Sequence, residues 1–464
     1  MRKARDGQDT FEFQPATLKL TREYHERYLQ IDRLLAEVPE ILGRVHADLQ
    51  KILESANRQR GRRCRYTSEN VLRLAICQVI EGASLREIVV RVDDSNFLRE
   101  FCRFGLDKMM GHTLFCTLRN AIRPETWKTI NQLLAKHALD EDEISGEMLR
   151  IDTTACETNI HYPTDSSLLW DVYRTFARLT EVAREIDPTI AADRRLHTKT
   201  AKRHSASIDR AVGKNTKTAD LKPQYEALLR LVEGVLEIGE EVEAGLRRLV
   251  KKSEELKATS LLNELEHYKE LGARVVDQTK RRVLEGQQVP NSEKLFSIFE
   301  SHTELLKRGK AGKPIEFGHM VFLAQTEEKF ISDYDVYPKK PNEHELVDGI
   351  LDRHQELFGA RPTTFAADKG FYESTAKLIE LAKGIDVVAI CKKGNRTPEE
   401  DAREHSLAFK LGQAFRAGIE GTISFVKRCL RLHRCFNKGW RHYCATVGAT
   451  VFAHNLLILA AGSG

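Results

Sequence analysis

The sequence predicts an α/β protein. A sheet of mixed strand direction is preceded by an all-helical region and interrupted after its first strand by a helical insertion. Three observations predict this. Residues 20 to 54 and 67 to 122 carry helical periodicity and capping signals without strand texture. "MLRIDTTA" (148–155) is short, apolar and β-branched, and strand texture of that kind returns only from 295. Between them, from about 168 to 290, the chain is helical and densely charged. Without that block the order reads β–β–β–α–β–α–β–α, an alternation that builds a sheet with helices on its faces. A length of 464 residues allows two or three domains.

In chain order, one long amphipathic helix is expected over 20–54. Leu29, Ile31, Leu34, Leu35, Ile41, Leu42, Val45, Leu49 and Ile52 form its apolar stripe. A basic connector, "RQRGRRCRYTS", follows. Thr67 or Ser68 can cap "ENVLRLAICQVIEG", Gly82 ends it, and Ser84 to Glu87 form a capping box for the next helix. "DDSNFLREFCRFG" and "HTLFCTLRNAI" continue the series. Short capped helices at this spacing suit a helix-turn-helix-like unit or a plain bundle. In the insertion, Leu228, Leu231, Val235, Val242, Leu246 and Leu249 keep a near-heptad stripe. "LLNELEHYKELGARVVDQTKRRVLEG" can fold back on it as an antiparallel hairpin. Strands are then expected in "KLFSIFESHTELL", "IEFGHMVFLAQ" and "KFISDYDVYP". A helix in "NEHELVDGILDRHQELFG", a strand in "TTFAADKGF", a helix in "ESTAKLIELAKG" and a strand in "DVVAICKKG" follow, and two helices finish the chain. "VGATVFAHNLLILAAG" is too short for a membrane span and holds His454 and Asn455, so it reads as a buried core helix.

The net charge of +5 is slight, but its distribution is uneven. Arg194, Arg195, Lys199, Lys202, Arg203, Arg210, Lys214, Lys217 and Lys222 face only Asp209 and Asp220, which suits a phosphate-binding arm better than a merely solvated face. Nine cysteines, an odd count with no CxxC, point to a reduced intracellular protein, and the start of the chain has no signal-like apolar run. No GxxxxGK[ST] loop and no Ser/His/Asp set is present. His433, Cys435, His442 and Cys444 are possible zinc ligands, although H-x-C does not put both side chains on one helix face. Thr164 or Asp165 is expected to cap the helix after "HYP". Trp170 suits packing better than base stacking.

Three acids sit where acids are costly. Asp152 lies inside an apolar strand after Leu149 and Ile151, and Asp368 ends another after "TTFAA". Glu420 lies in "RAGIEGTISFVKRCLR", at the edge of the stripe Ile419, Ile423, Val426 and Leu430, with Arg416 and Lys427 close by. Carboxylates packed together raise one another's pKa unless a cation neutralises them. Mg²⁺ prefers oxygen ligands, and a pair of such ions about 3.5–4 Å apart can clamp the attacking and leaving oxygens of a phosphoryl displacement. Lys427, Arg431 and Arg434 on nearby faces can hold DNA phosphates.

Here the chain resembles the DDE-type transposases of bacterial insertion sequences, close to the ISNCY group. "RIDTTACETNIHYPTDSSLL" is similar to the first-Asp region and "FAADKGF" to the second. "RAGIEGTISFVK" is similar to the R-x3-E-x6-K portion of the third motif. "SIFESHTELLKRGKAGKPIEFGHMVFL", "FAHNLLIL" and "YTSENVLRLAICQVIEGASLREI" resemble the following strands, the closing helix and the N-terminal helical domain. The resemblance implies an RNase H-like core with a mixed five-stranded sheet over 146–165 and 294–464. It also implies a helix-turn-helix-like DNA-binding region over 1–130 and a charged helical insertion, a possible coiled-coil hairpin, over 166–293.

By position it implies Asp152, Asp368 and Glu420 as catalytic, metal-binding acids for two Mg²⁺ ions, with Mn²⁺ able to substitute. Arg416 and Lys427 become accessory basic residues near DNA. Arg431 and Arg434, from their helix faces, and Lys199, Lys202 and Arg203, from the basic run, are expected as further DNA contacts. Many relatives carry Tyr where this chain has Gln413. The implied partners are terminal inverted repeats and target DNA, with a homodimer in the synaptic complex, no membrane, and a place in the bacterial cytoplasm at the nucleoid. Two other readings stand beside this one: an RNase H-fold nuclease that cuts without joining, and a non-catalytic DNA binder.

Overall fold

The computed structural model describes residues 17–55, 65–105, 108–213, 218–253, 256–307 and 314–462. Two compact units make up the chain, one from residues 1–157 and 318–464, the other from 158–317.

The first unit begins with α1 (Lys19–Glu37) and α2 (Pro39–Ser55), so the single long helix expected here is two. Pro39 has no N–H to continue the ladder and drives Val38 out of helical geometry, to φ −118° and ψ 69°. Next come α3 (Ser68–Ile80), α4 (Leu85–Asp94), α5 (Asn96–Phe101), α6 (His112–Ala121) and α7 (Pro124–Asp140). Thr67 and Asn70 cap α3 reciprocally, and Ser84 and Glu87 cap α4 as the sequence predicts. Gly82, at φ +53°, makes the turn between them. A Cβ there would stand 2.7 Å from the Cys429 carbonyl, so glycine is what lets the turn approach residues 429–431.

β1 (Met148–Thr158) leads into the second unit, which holds α8 (Asp165–Ile186), α9 (Thr198–Gly213), α10 (Lys222–Ser253), α11 (Leu256–Thr279) and β2 (Glu304–Lys307). The expected hairpin of α10 and α11 is part of a larger bundle, because α8 packs on both. Its stripe of Leu169, Val172, Phe176 and Leu179 is buried with Leu228, Leu265 and Val275. Residues 295–303, expected as strand, are turns and bends. Ser297 Oγ accepts from the Phe299 and Glu300 amides, a local bonding pattern that competes with a strand ladder.

The chain returns with β3 (Ile315–Gln325), β4 (Ile331–Tyr337), α12 (Val347–Phe358), β5 (Thr364–Ala367), α13 (Thr375–Leu381) and β6 (Val387–Ala389). It ends with α14 (Pro398–His405), α15 (Leu407–Arg428), β7 (Arg434–Cys435) and α16 (Trp440–Gly462). Among the described residues the sheet has seven strands rather than five, in the order β2-β3-β1-β5-β6, with β4 on β3 and β7 on β1. β4 and β7 extend it because the first forms a hairpin with β3 and the second pairs by a Glu157 N–H to His433 carbonyl bond of 3.0 Å. β1 runs antiparallel to β3 and parallel to β5, and β5 runs parallel to β6.

α16 is long and apolar enough to cross a membrane, but 67% of its most apolar window is buried inside the fold. Asn455 holds both the Ile331 amide and its carbonyl, at 2.9 Å each, which pins the helix to β4. The described cysteines are all free, and Cys64 lies outside the described residues.

Candidate active site

Strand register brings the first two acids together. Ile151 pairs with Ala367 in the parallel ladder of β1 and β5, so Asp152 and Asp368 are the next residues on neighbouring strands, which lie about 4.8 Å apart. Both point their carboxylates into tight local bonds: Asp152 Oδ1 accepts from the Thr153 amide and Asp368 Oδ1 from the Gly370 amide, each at 2.7 Å. A third acid, which the sequence reading did not single out, stands beside them. Glu343, on the short helical turn Glu343–Leu346, accepts the Thr153 hydroxyl. A Cβ on Gly370 would fall 2.1 Å from its Oε2 and 2.8 Å from Asp368 Oδ1, so the glycine keeps this corner open for two carboxylates.

Burial first of all pushes the Asp152 carboxyl up to about 6. The Thr153 amide opposes the shift, Asp368 and Glu343 add to it, and Arg416 offsets part of it. Desolvation and the neighbouring acids both disfavour the ionised form of Asp152, a cost that a bound cation would remove.

The third motif lies on α15, whose position is fixed by several contacts to the strands. Arg150, buried on β1, donates to Gln325 Oε1 and to the Phe415 carbonyl, each at 2.8 Å, and stacks on the Phe415 ring. Gly418 leaves room for that guanidinium, since a Cβ would stand 2.2 Å from Arg150 Nη1. Gln413 donates to the Ala389 carbonyl at 2.6 Å and also reaches the Ala367 carbonyl. It thus ties α15 to the ends of β5 and β6.

Arg416 lies near enough to Asp152 to lower its pKa and pairs with Glu420 at 3.2 Å. Its Nε is buried without an acceptor. Glu420 itself is turned outward, with its side chain 66% exposed. Ile419, Thr422 and Val426 take the inner face, and Thr422 accepts from Gln325 at 2.8 Å. The sequence placed Glu420 at the rim facing the sheet. The structure rotates it past that rim, and Arg416 is its link to Asp152. Among the described residues, no three of Asp, Glu, His and Cys are gathered closely enough to hold one ion. The donors at Asp152, Asp368 and Glu343 are nevertheless all carboxylate oxygens, the chemistry that suits Mg²⁺.

The other basic candidates are spread more widely. Lys427 accepts at its carbonyl from His433 Nδ1 at 3.2 Å. Arg431 donates to the Gly82 carbonyl at 3.1 Å, and Arg434 pairs with Glu157 at 2.7 Å. In the second unit, Lys199, Lys202 and Arg203 are exposed on α9. From the same basic run, Arg194 is engaged by Glu241 and Lys222 by the Leu284 carbonyl, while Lys214 and Lys217 lie outside the described residues. Thr164 caps α8, Asp165 binds Arg282, and Trp170 stacks on Tyr173, so these three serve the second unit's own packing.

Residues 23–121 match a family described as "Transposase domain (DUF772)", and residues 272–456 match the "Transposase DDE domain". The chain belongs to the insertion-sequence DDE transposases. Its core is therefore RNase H-like, and its activity is DNA cleavage and strand transfer, which the family performs with divalent metal ions. Glu343, Asp368, Arg416, Glu420 and Lys427 fall inside the second matched segment, whereas Asp152 lies between the two. No curated protein and no solved structure matches the chain.

Proposed function

We propose that this transposase, of the ISNCY-like group, cuts DNA at the terminal inverted repeats of its element and joins the exposed 3′-hydroxyl to target DNA. One site does both, built on Asp152, Asp368 and Glu420. The observation that carries the reading is the parallel register that sets Asp152 beside Asp368 on adjoining strands. Two Mg²⁺ ions, or Mn²⁺ in their place, would supply Lewis-acid stabilisation of the attacking and leaving oxygens. Asp152 and Asp368 are the inner oxygen donors, Glu343 stands ready as a further one, and Glu420 completes the set from α15. Arg416 pairs with Glu420 and holds it until DNA arrives, when the guanidinium can turn to a backbone phosphate. Catalysis is then mainly positioning and charge neutralisation.

In the same reading, residues 1–130 bind the repeats, 146–165 with 294–464 form the catalytic domain, and 166–293 are an insertion. Lys427, Arg431 and Arg434 follow the DNA backbone near the core, and Lys199, Lys202 and Arg203 form a further contact arm. Pairing of two ends calls for a homodimer in the synaptic complex, acting on DNA in the bacterial cytoplasm. The test is cleavage and joining of the element's own ends in Mg²⁺. Asp152→Asn and Asp368→Asn should abolish both steps, and near-wild-type cleavage by either variant would overturn the assignment.

A further inference from the structure

Among the described helices α1 to α7, α6 is the one that contains no Asp or Glu. Its two faces differ. Phe115, Leu118 and Arg119 are buried, as is Ile122 just after them. His112, Thr113, Leu114 and Thr117 are exposed, and Cys116 and Asn120 are half-buried. At 100° per residue, Thr113, Cys116, Thr117 and Asn120 fall within about 100° of one another and form one uncharged, polar stripe.

These side chains have the chemistry that reads base edges. Asn can pair with N6 and N7 of adenine, and Thr can bond to a base or pack its methyl on that of thymine. The lack of carboxylates matters equally, because duplex DNA presents about one phosphate charge for every 1.7 Å of its axis. With 10 residues, α6 is about 15 Å long and fits a major groove about 12 Å wide. Basic groups stand at both ends of it. Arg86 borders one depression with His112 at the start of α6. Arg441, exposed on α16, donates to the Ala121 carbonyl at its end, at 3.4 Å.

The competing helix is α4. It follows α3 through the turn 81–84, which is the place of the reading helix in a helix-turn-helix. Yet α4 exposes Glu87, Asp93 and Asp94 beside Arg86 and Arg91, and three carboxylates would oppose the phosphates on either side of a groove. Charge therefore selects α6.

We propose that α6 reads the base sequence of the element's terminal repeats from the major groove, with Thr113, Thr117 and Asn120 against base edges and Arg86 and Arg441 on the flanking phosphates. The inference rests on the reading that residues 1–130 bind the repeats.

The experiment uses the full-length protein in EDTA, where no cleavage occurs, and reads affinity by fluorescence anisotropy. Two duplexes are compared, one carrying the element's terminal repeat and one of the same length and composition in scrambled order. The double variant Thr113→Ala with Thr117→Ala, and separately Asn120→Ala, should each weaken binding to the repeat about tenfold and leave the scrambled duplex unchanged, as loss of base contacts does. Arg441→Ala should weaken both duplexes alike, as loss of a phosphate contact does. Val90→Ala, at an exposed position of α4, should change neither. Because Thr113 and Thr117 are exposed, their variant keeps the test valid if the Asn120 variant does not fold. Undiminished preference for the repeat in the Thr113 and Thr117 variant, or equal weakening of both duplexes by it, would overturn the role of α6 and leave repeat binding standing. A wild type that binds both duplexes equally would instead overturn the reading of residues 1–130, and the proposal with it.

Discussion

Replacing Asp152 with Asn should stabilise the metal-free transposase at neutral pH while destroying its activity. The carboxyl is raised from 3.8 to about 6, a shift of about 2 units. At about 1.36 kcal/mol per unit, holding it ionised in the fold costs about 3 kcal/mol. The sign follows from linkage. Below about pH 4 the carboxyl is protonated in the folded and unfolded chain alike, and it costs nothing. As pH rises towards 6, the unfolded chain releases the proton first, so the folded state loses stability, and above 6 the full cost is present. Urea unfolding in EDTA, followed by the fluorescence of the three tryptophans, among them the buried Trp127, measures this. Asp152→Asn and wild type should match near pH 4 and separate by about 3 kcal/mol at pH 7, with the variant more stable. Added Mg²⁺ should then stabilise wild type, by about 2.7 kcal/mol at a hundredfold excess over Kd, and leave the variant unmoved. A variant no more stable than wild type at pH 7 in EDTA would refute the picture of a strained carboxylate held ready for a cation.

Glu420→Gln should reduce end cleavage by at least about 100-fold yet change stability by less than about 0.5 kcal/mol, because its partner Arg416 is four residues away in an exposed pair. Equal losses of activity and stability would show a structural role instead. Gly418→Ala drives a methyl into the Arg150 guanidinium and should destabilise by about 1–3 kcal/mol while slowing cleavage, as α15 shifts off the sheet. Wild-type melting would show that this contact does not seat the helix. Changing Lys199, Lys202 and Arg203 together to Ala should weaken DNA binding and flatten the salt dependence of log K by up to about 2.7, three contacts at about 0.9 each. An unchanged slope would exclude α9 as a DNA contact.

Of the proposed site, Asp152 and Asp368 were conspicuous in the sequence because each breaks an apolar strand pattern. Their adjacency depends on which strands pair in parallel, which local sequence does not state. Glu343 carried no such signal. It lies among the acids of "NEHEL", before a helix, where a solvated Glu is the ordinary reading, and only long-range packing against Gly370 and Thr153 gives it a place. Glu420 sat at the margin of its stripe, where a small helix rotation decides between sheet and solvent, and the Arg150–Gly418 contact fixes that rotation. The break at Val38 was written in Pro39 but outweighed by an unbroken apolar stripe. Residues 295–303 are apolar because they pack on the second unit's core, not because they form a strand.

The central claim is that Asp152, Asp368 and Glu420 share divalent ions when DNA is bound. Counting Mn²⁺ bound per protomer by paramagnetic resonance, with pre-cleaved element ends present to hold Glu420 in place, tests it most directly. Two ions should bind to wild type, with at least one lost in each of Asp152→Asn, Asp368→Asn and Glu420→Gln. Unchanged stoichiometry and affinity in all three variants would contradict it.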